Sequence, residues 1–313
     1  MISRYSYSQQ LPLYTNYVLN PYAYNPAVAG SKPHAVANVN YRNQWVGFQD
    51  APKTYMFSLH STLGKNKKSA IGTLINSDNT GLLSRTSGYL TYAYHLKINK
   101  NYKLGLGVSA GMVQYRIKLF DAKIADAGDE LLTGNILSNN VFDSNGGLYI
   151  YSDKLFFGFS TYQYIGNKIT WKDSKSNLSQ HMYATVGYTF KVSKTFSIQP
   201  TALVKFNTPA PIQPEFSVRG LYKNLFWVGG SYRMNESASL LVGVTLKEKL
   251  SIGYSFDMTT SKMQSYSKGS HEIAICYQFI KPKKKLDSDE QELNDIDNSI
   301  KTKLKKENEK STK

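Results

Sequence analysis

A single cysteine, three tryptophans and no long apolar run set the first limits on this 313-residue chain. Cys276 has no partner within the chain, which excludes an internal disulfide framework and leaves it as a small strand residue. No stretch reaches the roughly 18 consecutive apolar residues of a membrane helix, so spanning by helices is excluded. Spanning by strands is not, because a barrel's outward residues alternate with small or polar ones and such a sequence looks polar on average. Helix-period segments are missing before residue 281. The five histidines, His34, His60, His95, His181 and His271, are scattered without metal-ligand spacing. No G-x-S-x-G nucleophile elbow occurs. Ser58 and His60 in "FSLHST" share a strand face, an arrangement too common to indicate a hydrolase. "DAKIADAGDE", residues 121–130, lacks the D-x-D-x-D-G order of a calcium loop and its distant Glu. No catalytic residue, metal or cofactor is indicated, and the chain reads as a non-enzyme.

Tyrosine is abundant instead: 24 Tyr stand beside 14 Phe, a composition suited to pleated surfaces and membrane interfaces. The apolar residues recur with period two. In "LGLGVSAGM", Leu104, Leu106, Val108, Ala110 and Met112 share one face and glycine or serine the other. "LSIGYSFDM" repeats the scheme from Leu250 to Met258, with Asp257 on the small-residue side. Such runs predict about fourteen strands between residues 35 and 280, most of them near the 9 to 11 residues that a tilted strand needs to cross a bilayer. Connections alternate in length. "GKNKK", "NKN", "SDK", "VSK", "KN" and "KEK" are tight, whereas "QWVGFQDAP", "SDNTGLLS", residues 116–141, "QYIGNKITWKDSKSN", "NTPAPIQ" and "TTSKMQSYSKG" are long; only "MNES" breaks the pattern. That alternation predicts an all-β, up-and-down transmembrane barrel with turns in the periplasm and loops outside. An even strand count puts both termini on the periplasmic side.

Of the net charge of +16, residues 1–280 carry 28 Lys and Arg against 14 Asp and Glu. The basic residues collect at the tight turns: Lys65, Lys67, Lys68, Lys100, Lys194, Lys223, Lys247 and Lys249 would form a periplasmic rim. Lysine there blunts aggregation, and could also receive an acidic periplasmic partner or lipid phosphates. Lysines spaced round a ring make no groove for nucleic acid, and none is expected as a partner.

"QQLPLYTNYVLNPYAYNPAVAGS", "YRNQWVGFQDAPKT", "GYLTYAYHLKI" and "KLGLGVSAGMVQY" resemble the PorP/SprF family of type IX secretion proteins from the Bacteroidetes, over about residues 9–279. The resemblance implies an outer-membrane barrel that helps export or anchor surface proteins, including gliding adhesins. It also implies partners: periplasmic parts of the secretion machine and the C-terminal domains of cargo. Tyr41, Arg42, Gln44, Trp45 and Gly47 match the family's pattern.

Three segments follow. Residues 1–33 form an N-terminal arm too broken by Pro21, Pro26 and Pro33 to be a spanning strand. We expect it to fold back into the mouth or lumen, with Tyr14, Tyr17, Tyr22 and Tyr24 packing. The Asn20-Pro21 and Asn25-Pro26 steps, with Gly30 after them, would fix the bends. Arg42 and Gln44 are candidate contacts to that arm, and Trp45 reads as an interface aromatic. Residues 34–280 form the barrel. Residues 281–313 are a charged periplasmic tail whose Leu286, Leu293, Ile296, Ile300 and Leu304 are spaced as a helical stripe, though such composition also suits disorder. Export requires a signal peptide, which "MISRYSYSQQ" does not supply, so a missing upstream segment is expected. A passive porin-like channel is the alternative to a binding and anchoring role.

Overall fold

The computed structural model describes residues 11–12, 14–118, 136–165, 168–171, 174–177, 179–207 and 210–280. The first seven strands are β1 (Val36–Asn43), β2 (Lys53–Leu63), β3 (Ser69–Thr80), β4 (Leu83–Lys97), β5 (Lys103–Lys118), β6 (Ile136–Tyr151) and β7 (Leu155–Tyr162). A short hairpin, β8 (Lys168–Trp171) and β9 (Ser174–Asn177), stands apart as its own two-stranded sheet. Then come β10 (His181–Tyr188), β11 (Phe190–Lys191), β12 (Phe196–Asn207) and β13 (Ala210–Tyr222). The last four are β14 (Phe226–Arg233), β15 (Ser237–Leu246), β16 (Leu250–Thr259) and β17 (Ser270–Gln278). Apart from β7, which pairs with β10 across the β8–β9 hairpin, and β10 and β11, which both pair with β12, each barrel strand pairs antiparallel with its neighbour in sequence, and β1 pairs with β17. Because β11 continues β10 past Thr189, these strands make fourteen staves of a closed ring, which leaves no sheet edge.

Alternation along the strands gives the wall two chemistries. On β4, Arg85, Ser87, Tyr89, Thr91, Ala93 and His95 are buried inward, whereas Leu90 is 73% exposed on the outside. On β16 the inward set is Ser251, Ser255, Asp257 and Thr259, and Ile252, Tyr254 and Met258 face out. A continuous apolar exterior of this kind has no place in water and every reason to sit in lipid. The outward aromatics Tyr94, Phe190, Phe196, Tyr222, Phe226, Tyr277 and Phe279 gather at the tight-turn end, as in the aromatic girdles that flank a barrel's apolar band.

The tight turns have their own conformation. Lys223 and Asn224 have φ of 51° and 52°, and Lys247 and Glu248 have φ of 48° and 57°. Positive φ at both central residues matches the strand twist across a two-residue hairpin. The Leu225 and Lys249 N–H groups close these turns on the carbonyls of Tyr222 and Leu246 at 2.9 and 3.0 Å.

One long connection is shorter than its sequence suggests. The β5–β6 ladder continues to Lys118 opposite Ile136, where residues 116–141 read as loop. Above the bilayer an outward position need not be apolar, so Gln114, Arg116, Ser138 and Asn140 extend the ladder without the alternation that would reveal it. The acidic stretch 121–130 and the tail 281–313 lie outside the described residues.

Candidate functional site

Residues 14–30 of the N-terminal arm pack inside the barrel. Pro21 and Pro26 each open a single 3-10 turn, Pro21–Ala23 and Pro26–Val28, because proline presets φ at a position whose N–H would be unpaired. The Asn25 side chain accepts the Ala27 N–H at 2.9 Å, and its Nδ2 donates to the Leu148 carbonyl at 2.8 Å. The second bend is thereby capped and fastened to the wall. Gly30 holds φ at +78°, and its N–H donates to His60 Nδ1 at 3.2 Å. The wall is cut to fit: a Cβ on Gly105 would lie 2.6 Å from the Ala27 carbonyl oxygen.

Tyr14, Tyr17, Tyr22 and Tyr24 bury their rings and find polar partners for their hydroxyls, as amphipathic rings must in a packed interior. Tyr14 donates to Asn76 Oδ1 at 3.0 Å, Tyr17 bonds Thr201 and Ser217, and Tyr22 bonds Thr91 at 2.6 Å. The Tyr24 hydroxyl receives the Tyr14 N–H at 2.5 Å, and its ring meets Tyr183 edge-on at 5.2 Å. Asn20 donates to Asn40 and the Met56 sulfur and accepts from Ser58 Oγ.

Beside these rings, around Thr15, lies a knot of charge. Arg42 pairs with Asp257 at 2.6 Å and Glu272 at 3.1 Å, and Arg233 pairs with Glu215 at 2.7 Å and Glu236 at 2.8 Å. All but Glu236 are no more than 2% exposed. Thr15 sits between the two guanidiniums. Its hydroxyl donates to Asp257 at 2.8 Å and accepts from Arg42 at 3.2 Å and Arg233 at 3.4 Å, which uses its full hydrogen-bonding capacity. The Thr15 and Asn16 N–H groups add bonds to Glu272 at 2.7 and 3.1 Å. Buried guanidiniums tolerate such a site only with paired, hydrogen-bonded anions, and here the arm completes the pairing.

Among the residues singled out from sequence, Tyr14, Tyr17, Asn20, Pro21, Asn25, Pro26, Gly30 and Arg42 meet in the lumen. Tyr41, Gln44 and Trp45 do not join them. Tyr41 faces outward against Tyr55 at 5.0 Å between ring centres. The Gln44 N–H donates to the Pro52 carbonyl within the first loop, and the Trp45 N–H donates to Ser270 Oγ at 3.0 Å. Ser58 and His60 both serve the arm, with Ser58 donating to Asn20 and His60 receiving Gly30. Lys65, Lys67, Lys68, Lys100, Lys194, Lys223, Lys247 and Lys249 all stand at or beside tight turns. Sequence reasoning passed over Glu215, Arg233 and Glu272, and read Asp257 only as part of an alternation. The available signal was a charge at an inward parity position of a spanning strand.

A family model described as type IX secretion system membrane protein PorP/SprF matches residues 6–277. No curated protein matches the sequence. Among solved structures, the monoaromatic hydrocarbon channel CymD is similar at a TM-score of 0.51 and 10% identity, over 82% of this chain and 92% of that one. A FadL homologue of Pseudomonas aeruginosa is similar at 0.48 and 12%, over 82% and 93%. At such identities the likeness is one of fold. The family and the closed antiparallel barrel both support an outer-membrane location. With the match spanning nearly the whole described barrel, the chain belongs to the PorP/SprF family of type IX secretion system membrane proteins.

Proposed function

We propose that this barrel serves type IX secretion and gliding motility by binding or anchoring exported surface proteins, and that it couples to periplasmic components of the machine. The reading rests on family membership and is supported by one physical observation: arm residues Tyr14 to Gly30 pack inside the lumen that a passive channel would leave open. A pore blocked by buried tyrosines and a paired charge cluster transmits no solute while the arm stays docked. The protein's working surfaces are then its ends. At the tight-turn end the ring of lysines suits acidic partners, and focuses them by long-range attraction. At the other end the loops offer the contact to cargo C-terminal domains.

Two measurements test this. In planar bilayers the purified barrel is expected to show no stable conductance; a steady open pore would favour a solute channel and remove the plugged binder. Affinity capture from native outer membranes, read by mass spectrometry, is expected to recover periplasmic secretion components and exported adhesins. Recovery of neither would overturn the binding role.

A further inference from the structure

The first-loop residues that stay out of the lumen build a cavity on the outer side of the wall. Loop 44–52 is closed at its base by the Gln44 N–H on the Pro52 carbonyl at 2.9 Å. One flank is tied to the β16–β17 connection, where the Val46 N–H donates to the Gly269 carbonyl at 2.8 Å and the Val46 carbonyl accepts the Lys268 N–H at 2.7 Å. The other flank is tied to the β3–β4 connection by the Gly81 N–H on the Asp50 carbonyl at 3.0 Å. Trp45, Gly47 and Asp50 turn at φ of 50°, 95° and 58°. Between this fixed loop and the strands lies a cavity of about 360 Å³, lined by Val46, Phe48, Asp50 and Ala51 on one side and by Asn43, Lys53 and Asn79 on the other. Lys53 and Asp50 are its only charged lining residues, and no ion pair of the described residues joins them.

The strand register sets this cavity at the edge of the lipid. Asn43, Lys53 and Asn79 are direct neighbours across β1, β2 and β3. Two residues along each strand the same outward face carries Tyr41, Tyr55 and Ser77, and two further on it carries the exposed apolar Val39, Phe57 and Ile75. The rows pass from hydrocarbon through amphipathic side chains to charge in two steps, each of two residues rising about 3.3 Å apiece. Lys53 therefore stands at the headgroup level of the leaflet on the long-loop side.

We propose that the cavity binds the headgroup of a membrane lipid that carries both a phosphate and a primary amine. The Lys53 ammonium meets the phosphate, with the Asn43 and Asn79 amides donating beside it. Asn79 accepts the Ser84 hydroxyl through Oδ1 at 2.6 Å, which leaves its Nδ2 to donate. The Asp50 carboxylate takes the amine, so one ligand answers both charges. The acyl chains then lie down the wall over Tyr55 and Phe57. A soluble headgroup has nothing to lay on that row, and a protein would have to displace lipid to reach it. Neither the plug nor the secretion role enters this assignment.

Native mass spectrometry of the full chain in detergent, titrated with single lipids, tests it once a heat-shift gel has shown each variant folded. The parent is expected to retain a phosphatidylethanolamine over a phosphatidylglycerol of the same chains, since only the first brings an amine to Asp50. Lys53→Gln should weaken retention of the phosphatidylethanolamine roughly tenfold or more, as loss of a hydrogen bond between charged groups does. Asp50→Asn should erase the preference between the two lipids. Lys262→Gln, in the β16–β17 connection and outside the cavity, should behave as the parent. No preference in the parent, unchanged retention in Lys53→Gln, or an equal loss in Lys262→Gln overturns the site. Displacement of the lipid by free phosphoethanolamine at matching concentration makes the ligand a soluble one and refutes the lipid. A Lys53→Gln variant that keeps its lipid but loses capture of exported adhesins assigns the cavity to a protein and refutes it likewise.

Discussion

Replacing Thr15 by valine keeps the size and β-branching of the side chain and removes one hydroxyl from the charge cluster. That hydroxyl makes its bonds to charged groups: it donates to Asp257 and accepts from Arg42 and Arg233. Arg42 and Arg233 keep their own carboxylates in the variant, so no bare charge is created. The loss is then that of hydrogen bonds to charged partners, about 1.5–3 kcal/mol. Since it falls on the arm and not on the wall, it weakens docking. At 1.36 kcal/mol per tenfold, the undocked population rises roughly 10- to 150-fold. Chymotrypsin reads this population, because its sites at Tyr14, Tyr17, Tyr22 and Tyr24 are buried in the docked state. With opening fast relative to cleavage, the clipping rate tracks that equilibrium. Ser84→Ala is the control: its hydroxyl donates to Asn79 Oδ1 at 2.6 Å on the outer face of the wall, and clipping should stay at the parent rate. If Thr15→Val is clipped within twofold of the parent while the barrel stays folded, the cluster does not hold the arm.

Arg42→Met strands Asp257 and Glu272 and is expected to cost about 3–5 kcal/mol, seen as a lower temperature for the gel shift between folded and unfolded barrel; adding Asp257→Asn and Glu272→Gln should recover most of it. Gly107→Val drives its side chain into the Pro26–Ala27 backbone and should expose the arm to chymotrypsin with the barrel intact, whereas Gly88→Ala, with nothing within 4 Å, should not. Burial raises the Glu236 carboxyl, but Arg233 outweighs it and holds the group below the usual 4.5. Its stabilisation is therefore present above that value and lost as pH falls through the lowered one. Glu236→Gln should unfold at lower temperature than the parent at pH 7, and the gap should close in strong acid. Lys223→Glu with Lys247→Glu should leave insertion unchanged and reduce capture of periplasmic secretion components, with the deficit shrinking at high salt.

The barrel was legible because lipid imposes its pattern residue by residue. Leu104 to Met112 must alternate to face hydrocarbon, and Lys223–Asn224 form the two-residue turn that joins neighbouring staves. Once the ladder rises past the bilayer the demand disappears, and so Lys118 and Ile136 look like loop although they are paired. The arm was legible for a different reason: four prolines and six tyrosines before the first strand cannot be a spanning strand, yet are too apolar to be left in water. What stayed hidden was the electrostatic lock. Arg42 and Glu272 are 230 residues apart, and Arg233 and Thr15 are 218 apart, so no spacing rule could join them. Only ring closure brings β1 beside β17 and β14 within reach of the arm. Parity still told half of it, since Asp257 sits on the glycine and serine face of an otherwise lipid-spanning run. A charge in that position must point into the lumen, and a charge in the lumen of a plugged barrel must be answered by the wall or by the plug. Here Arg42 answers from the wall and Thr15 from the arm, which binds plug occupancy to the same residues that neutralise the pore.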